Sequence, residues 1–511
     1  MTEADPRADS RAAAFVLALA AALTALRIAA LFASPLQLYP DEAQYWLWSR
    51  DLAWGYVSKP PMIAWLIWAT TRLGGDGEAW VRLAAPFAHL VPMLALWRVG
   101  QRLYGPRAGV LAAVLYALMP AVQVSALFIA TDAPLLAFLA LSLWAYVGMV
   151  QARTGGARRL AAAAFGATLG LAFLAKFAAV YFVMGAALHA AFSPQARRAW
   201  GGWAWAWALA ALLAVFGPNI AWQASNGFAT VAHTTEVNAH WTPASMFHPG
   251  KLLEFVLGQL GIIGPVPFVV LIAGTVLLAR RRALEPADRL LLAFVAPALA
   301  LVTIQAFVSR AHSHWAAASY VPGVVLVSAW LLRWRARGWI VASVVLQGAV
   351  AALLLAVVAF PALVDASGNA RRLQRHRGWD RTAELVTSAA RAVPGLDAVA
   401  VEDRYLFNEL AYYGRDYFSA PGAAPLRMRP PPGQALNEAQ LSAPLKPDAG
   451  ARVLVAETVG RPGTFGLPRE FERIRPVGRW SVALDPEHAR VVELWLGEGY
   501  WGPVSGVPTE P

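Results

Sequence analysis

The sequence predicts a mostly α, polytopic membrane protein with about eleven transmembrane helices, followed by a C-terminal α/β domain on the outer side. Three observations carry that prediction. Only 14% of the 511 residues are charged and 58% are hydrophobic, against about a quarter charged in soluble domains, and the mean hydropathy is +0.47. Apolar runs of bilayer-spanning length recur up to Phe360 and then stop. Arginines cluster in every second connection between those runs, as they do when basic loops stay on the cytoplasmic side.

The spans are expected near 12–33, 81–101, 107–128, 133–151, 159–176, 177–193, 199–218, 252–279, 289–308, 315–332 and 338–360, each close to the roughly 20 apolar residues that a crossing helix needs. The first, after a short polar start, reads as a retained helix rather than a cleaved signal. The stretch 159–193 is short for two helices and has only Lys176 at its middle, so one long tilted helix competes there.

With the N-terminus inside, the inner connections hold Arg102 and Arg107, then Arg153, Arg158 and Arg159, then Arg197 and Arg198. Arg280, Arg281, Arg282 and Arg289 follow, and then Arg333, Arg335 and Arg337. The alternate segments, 34–80, Ala130–Asp132, the Lys176 turn, 219–251 and Ser309–Trp315, face outward and hold most of the carboxylates and histidines of this part. The net charge of +12 is therefore a topology signal, scattered in short clusters, and not the continuous basic face of a nucleic-acid binder. With no cysteine, the chain has no disulfide, thiolate nucleophile or cysteine metal site.

Residues 1–360 thus form the membrane domain, with outer loop 34–80, and residues 361–511 the outer α/β domain. In the latter, Trp379–Val393 has the period of an amphipathic helix and Arg404–Tyr413 that of a second. Ala398–Val401, Arg452–Ala456, Trp480–Leu484 and Val491–Leu496 read as strands, around a Pro- and Gly-rich loop at 421–450.

Candidate chemistry gathers in the outward segments. Asp41 and Glu42 follow the first span after Tyr39-Pro40, where a carboxylate serves either as a base or as a helix N-cap. Asp132 opens a span in Thr131-Asp132-Ala133-Pro134, with capping and function both open. Lys59, in Ser58-Lys59-Pro60-Pro61, either meets a phosphate or snorkels to headgroups. Arg27 in the outer half of the first span and Lys176 in an apolar hairpin are membrane-embedded cations, which by default mark function. His233, His240 and His248 share one outer loop, and His312 and His314 share another with Arg310. No HExxH spacing is present, so hydrogen bonding or substrate contact is preferred to a metal. The aromatic residues from Tyr45 to Trp68 either stack on a sugar or form an interfacial belt.

Taken together these residues resemble the polyprenyl-phosphate-dependent glycosyltransferases of the GT-C superfamily, which include bacterial protein-mannosyltransferase-like proteins and the aminoarabinose transferase of lipid A. The most specific stretch is PDEAQYWLWSRDLAWGYVSKPPMIAWLI, from Pro40. It is supported by ATDAPLLAF at 130–138, FLAKFAAV at 173–180, NGFATVAHT at 226–234, SRAHSHWAAASY at 309–320 and EDRYLFNELAYYG at 402–414.

The resemblance implies a GT-C membrane domain and a periplasmic C-terminal domain in the bacterial inner membrane. It implies Asp41 as catalytic base with Glu42 as acidic neighbour, and Asp132 as a second carboxylate. Lys59 would contact the donor phosphate, with Arg27, Lys176 and Arg310 as further phosphate contacts and Tyr45, His233, His312 and His314 as substrate contacts. The expected donor is a polyprenyl-phosphate-linked sugar and the expected acceptor an envelope glycolipid, with protein hydroxyls as the alternative. No cofactor is required, and a divalent metal is optional because cations already stabilise a departing phosphate. A transporter or flippase is the rival class, but it would place charges near mid-membrane on interrupted helices.

Overall fold

The computed structural model describes residues 6–233, 247–431, 433, 435–447, 452–460 and 466–503. Among these, eight helices are long and apolar enough to cross a bilayer: Asp9–Ala33, Glu78–Tyr104, Asp132–Val150, Gly155–Ala175, Ala204–Ser225, Pro286–Val308, Ser313–Arg333 and Arg337–Ala359. Two bent pairs, Pro106–Leu118 with Pro120–Leu127 and Pro249–Ile262 with Pro265–Arg280, raise the number to ten. The shorter apolar helix Phe177–Phe192 supplies one more apolar segment at an expected position.

Two stretches differ from, or decide between, the sequence expectations. The expected span 252–279 is folded back on itself by 116°. Gly264 at φ +100 precedes Pro265, and that combination ends one helix and starts another at an angle. Each arm is only about 21–24 Å long at 1.5 Å per residue, shorter than the hydrocarbon core. The stretch 159–193 is two helices, because Lys176 adopts an extended conformation (φ −164, ψ 137) between them.

Within the bundle, Ser313–Arg333 is central, with 89% of its apolar window buried, while Ala204–Ser225 and Arg337–Ala359 have 17% and face outward. The basic connections meet at one end. Arg333 binds Asp288 (3.0 Å) and Glu285 (2.9 Å), Tyr104 donates to Asp288 (2.7 Å), and Arg158 donates to the Arg198 carbonyl (3.2 Å). These bonds tie three of the basic loops together and join the other two to each other.

At the other end stands a five-stranded sheet, in the order β2-β1-β3-β5-β4, with β1 Ala398–Val401, β2 Leu426–Met428, β3 Arg452–Thr458, β4 Phe471–Ala483 and β5 Ala489–Tyr500. β1 is parallel to β2 and β3, whereas β5 is antiparallel to β3 and β4. One face packs Val399, Val401, Leu454 and Leu494 against Trp379, Val386, Leu406 and Leu410 of helices Trp379–Ala392 and Arg404–Tyr413. β2 has only three residues and escapes a periodicity reading. β4 extends well beyond Trp480–Leu484 because Pro476, a residue that argues against a strand, sits where only an edge strand tolerates it.

The sheet region is bolted to loop 34–80. Trp46 and Tyr412 meet edge to face at 4.8 Å, Leu38 N donates to the Tyr413 hydroxyl (2.8 Å), and Trp379 N donates to Gln37 (2.7 Å). The first outer loop therefore lies between bundle and sheet.

Candidate active site

Helix Pro40–Trp48 starts with proline in its first turn and Tyr39 as N-cap. Neither adjacent carboxylate is an N-cap residue, and their fates diverge. Glu42 is buried and accepts four hydrogen bonds: from Arg82 Nε (2.9 Å) and Nη2 (2.7 Å), from Tyr39 N (2.9 Å) and from Ile129 N (2.9 Å). A carboxylate has about four lone-pair sites, so Glu42 has none left for a substrate. Arg82, also buried, donates to the Leu36 and Gln37 carbonyls (2.9 and 2.7 Å). Through the bond from Ile129 N, Glu42 also fastens the segment carrying Asp41 to the stretch of chain that leads into Asp132. Asp41, one residue earlier, is 40% exposed, and its nearest cation is Arg404 at 3.9 Å.

Asp132 is the first residue of its helix, after Thr131 as N-cap. Lys176 reaches it from the break between two helices and donates to both of its oxygens, at 3.0 and 3.1 Å. The extended backbone at Lys176 is what aims this ammonium out of the helical run and at Asp132.

Lys59 sits on a loop clamped from three directions. Asn219 donates to the Trp54 carbonyl (2.6 Å), Thr230 to the Tyr56 carbonyl (2.8 Å), and Val57 N to Glu438 of the C-terminal region (2.9 Å). Gly55 faces the Trp222 ring, and a Cβ there would overlap it. Tyr56 stacks on Trp48 with ring centroids 4.6 Å apart. Among the described residues no carboxylate lies within ion-pairing distance of Lys59, yet Asp41, Asp132, Lys176 and Arg404 are all within electrostatic reach. Burial, with repulsion from Lys176, pulls its ammonium down to about 8, while Asp41 and Asp132 oppose the shift.

The remaining candidates separate into near and far. His314 is within electrostatic reach of Asp132, Lys176 and Lys59. His312 stacks on it at 5.7 Å and contacts exposed Arg310 at 3.3 Å. Burial, then Arg310 and Lys176, lowers the His312 pKa, so its ring is neutral at pH 7. Tyr45 is buried beside Asp41 and Asp132, and burial together with their charge keeps it a phenol. Arg27 is deeper in the bundle. It donates to the Ala117 carbonyl (2.9 Å) and Gln123 (3.3 Å) where the bend before Pro120 frees backbone acceptors, and so it stabilises a helix break. His233 ends the short helix Ala229–His233; its side chain, and His240 altogether, lie outside the described residues.

Arg404 and Arg375 were not singled out from the sequence. Both come from the C-terminal region and have Asp41 within electrostatic reach. The signal available for Arg404 was its place in the segment EDRYLFNELAYYG, whereas nothing local marks Arg375.

The arrangement is a partly exposed carboxylate, Asp41, loosely approached by Arg404 and with Lys59 within electrostatic reach. A base with room for a hydroxyl beside it, next to an unpaired ammonium, can activate an alcohol and hold a departing phosphate. Among the described residues no three His, Asp or Glu side chains converge as metal ligands. Asp132 is already neutralised by Lys176, so the carboxylates here make a poor divalent site.

The chain is similar to known proteins over most of its length. A family model described as dolichyl-phosphate-mannose-protein mannosyltransferase matches residues 58–222. A lipid A galacturonosyltransferase of Rhizobium johnstonii, RgtD, is 34% identical over 412 residues, which cover 79% of this chain and 84% of that one. The crystal structure of ArnT from Cupriavidus metallidurans in the apo state has a TM-score of 0.64 at 19% identity and covers 95% and 98% of the two chains. The same protein bound to undecaprenyl phosphate gives 0.63 at 19% identity, over 98% and 99%. At that identity the likeness is one of fold.

Proposed function

Because the chain belongs to the GT-C family of lipid A-modifying membrane glycosyltransferases, we propose that it moves a sugar from a polyprenyl phosphate to a hydroxyl of a lipid A-type glycolipid at the periplasmic face of the bacterial inner membrane. RgtD, by its name, transfers galacturonate to lipid A, which makes a uronic sugar the first to test here.

Asp41 removes the acceptor proton as the oxygen attacks the anomeric carbon. The bond to the polyprenyl phosphate breaks on the opposite face, which inverts that centre in a single displacement. The charge that develops is on the leaving phosphate, so the cation Lys59 stabilises it without donating a proton. Lys176 holds Asp132 in place, and the rings of His312 and His314 line the same end of the bundle. Glu42 acts through Arg82 and Ile129 to fix the spacing of Asp41 and Asp132, a positioning role. Arg310 belongs to the rim and Arg27 to the scaffold. The tail of the donor remains in the bilayer.

The observation that carries the reading is that, of the three clustered carboxylates, only Asp41 keeps its oxygens free of hydrogen bonds and strong ion pairs. The test is mass spectrometry of envelope glycolipids from cells lacking the protein, complemented with wild type or with Asp41→Asn at equal membrane abundance. Wild type should restore a sugar-sized increment that the variant does not. Equal restoration by both removes Asp41 as the base. The match to a protein mannosyltransferase model favours one second reading, a protein hydroxyl acceptor; sugar found on envelope peptides and absent from lipids would select it.

A further inference from the structure

Arg404 lies 3.9 Å from Asp41, and Lys59 and Arg375 have Asp41 within electrostatic reach, while Lys176 is matched by Asp132 and Arg82 by Glu42. Three cations thus share one carboxylate. The phosphodiester of a lipid-linked sugar brings one negative charge, which leaves one positive charge unmatched.

The two arginines are held together by one ring, that of Tyr405. Arg404 Cζ lies 4.7 Å from the centre of the Tyr405 ring and Arg375 Cζ 5.8 Å from it. Arg375 also packs on Tyr39, at 5.8 Å, and donates to its hydroxyl. Stacking on rings fixes a guanidinium plane without consuming its N–H groups. Among the described residues the side chain of Arg404 makes one hydrogen bond, to the Tyr405 hydroxyl (3.3 Å), and that of Arg375 one, to Tyr39, out of five donors on each. No carboxylate lies within ion-pairing distance of Arg375 among the described residues, and Asp41 is 3.9 Å from Arg404. Asp403, next in sequence, is buried and accepts from Tyr405 N at its own helix start (2.9 Å).

We propose that Arg375 and Arg404 form a second anion subsite, in addition to Lys59, that takes an oxyanion carried by a substrate: the carboxylate of a uronosyl group on the donor, or a phosphate on the acceptor. Paired guanidiniums match either group bidentately. The 3.9 Å approach of Arg404 to Asp41 sets this subsite beside the proposed base. The proposal rests on the glycosyltransferase reading above and refines its substrate.

The test uses the full-length protein in lipid nanodiscs, as wild type, Arg375→Gln and Arg375→Lys. Transfer is measured from undecaprenyl phosphate linked to galacturonate or to galactose, onto lipid A with and without its phosphates. If the donor carboxylate is read, Arg375→Gln raises KM for the galacturonate donor by roughly ten- to a hundredfold, leaves the galactose donor unchanged, and Arg375→Lys recovers part of the loss. If the acceptor phosphate is read, the rise appears only with phosphorylated lipid A. Equal changes with charged and neutral substrates, or none, overturn the subsite. Should wild type transfer nothing in any combination, the glycosyltransferase reading fails first. The subsite is then judged by binding of free galacturonate and glucosamine 1-phosphate: affinity lost in Arg375→Gln supports it, and no difference between variant and wild type overturns it.

Discussion

The two ends of the helical bundle treat charge in opposite ways. At the basic end the buried carboxylate Asp288 is neutralised by Arg333, by Tyr104 and by the amide of Glu285, and what remains is exposed arginine. At the end that carries the sheet, Asp41 has only the loose 3.9 Å approach of Arg404, and Lys59, within its electrostatic reach, has no ion-pair partner among the described residues. A paired charge stabilises a helix end and does no chemistry. An unpaired one costs stability, and the surrounding structure maintains it by clamping the segments on either side: Arg82 with Glu42, and Asn219, Thr230 and Glu438 on the Lys59 loop.

The largest break in that contrast should come from Asp41→Asn. Loss of a general base lowers kcat by about 10²- to 10⁴-fold, while the melting temperature holds or rises because no strong partner is abandoned. Turnover and thermal melts of the same preparation check both halves. Arg82→Met should do the reverse, costing about 3–5 kcal/mol of stability by stranding Glu42 in a buried site. A melt as high as that of wild type would show that the Glu42 clamp is not needed.

Lys59→Met should raise donor KM roughly ten- to a hundredfold, as expected for a lost charge-assisted bond to phosphate. Its pKa of about 8 adds a pH signature. The ammonium holds an anion only when protonated, so wild-type donor binding weakens by up to about tenfold per unit above pH 8. The variant should not show this slope, and binding of undecaprenyl phosphate at pH 7 and 9 measures it. At the basic end, Arg333→Met should cost about 1–3 kcal/mol, less than Arg82→Met because Arg333 is 27% exposed, and kcat should not move.

The smallest effect concerns Glu409, on the same helix as Arg404. Both of its carboxylate oxygens are buried without a hydrogen-bond partner. Burial pushes its pKa well above the usual range, with Arg490 and Arg82 opposing and Glu42 and Glu78 reinforcing the shift. The folded form therefore retains a proton that the unfolded chain releases near pH 4.5, and stability falls as pH rises from there toward the elevated folded value. Glu409→Gln should flatten that part of the pH–melting curve. An unchanged curve would mean that the carboxyl is ionised in the folded protein.

By itself the sequence determined the apolar segments, the segregation of arginine to alternate loops, the C-terminal α/β composition and the choice of Asp41, Asp132 and Lys59 as candidates. Each of these is local in the chain: a run of apolar residues, a charge next to a span, a turn before a proline. Helix Arg404–Tyr413 and strand Ala398–Val401 were readable to the residue for the same reason. The break at Gly264 was local too, but its composition is as apolar as its neighbours, so hydropathy conceals it.

Only the tertiary structure decided how neighbouring residues divide their tasks. Asp41 and Glu42 are adjacent and similar acids, and what distinguishes them is Arg82 and Ile129, which arrive 40 and 87 positions later. Arg404 reaches Asp41, and Arg375 reaches Tyr39 two residues before it, across more than 300 residues, from a separate layer of the molecule. The physical reason is that a carboxylate's reactivity depends on which donors occupy its lone pairs. Those donors are supplied by packing between distant elements, which no local pattern encodes.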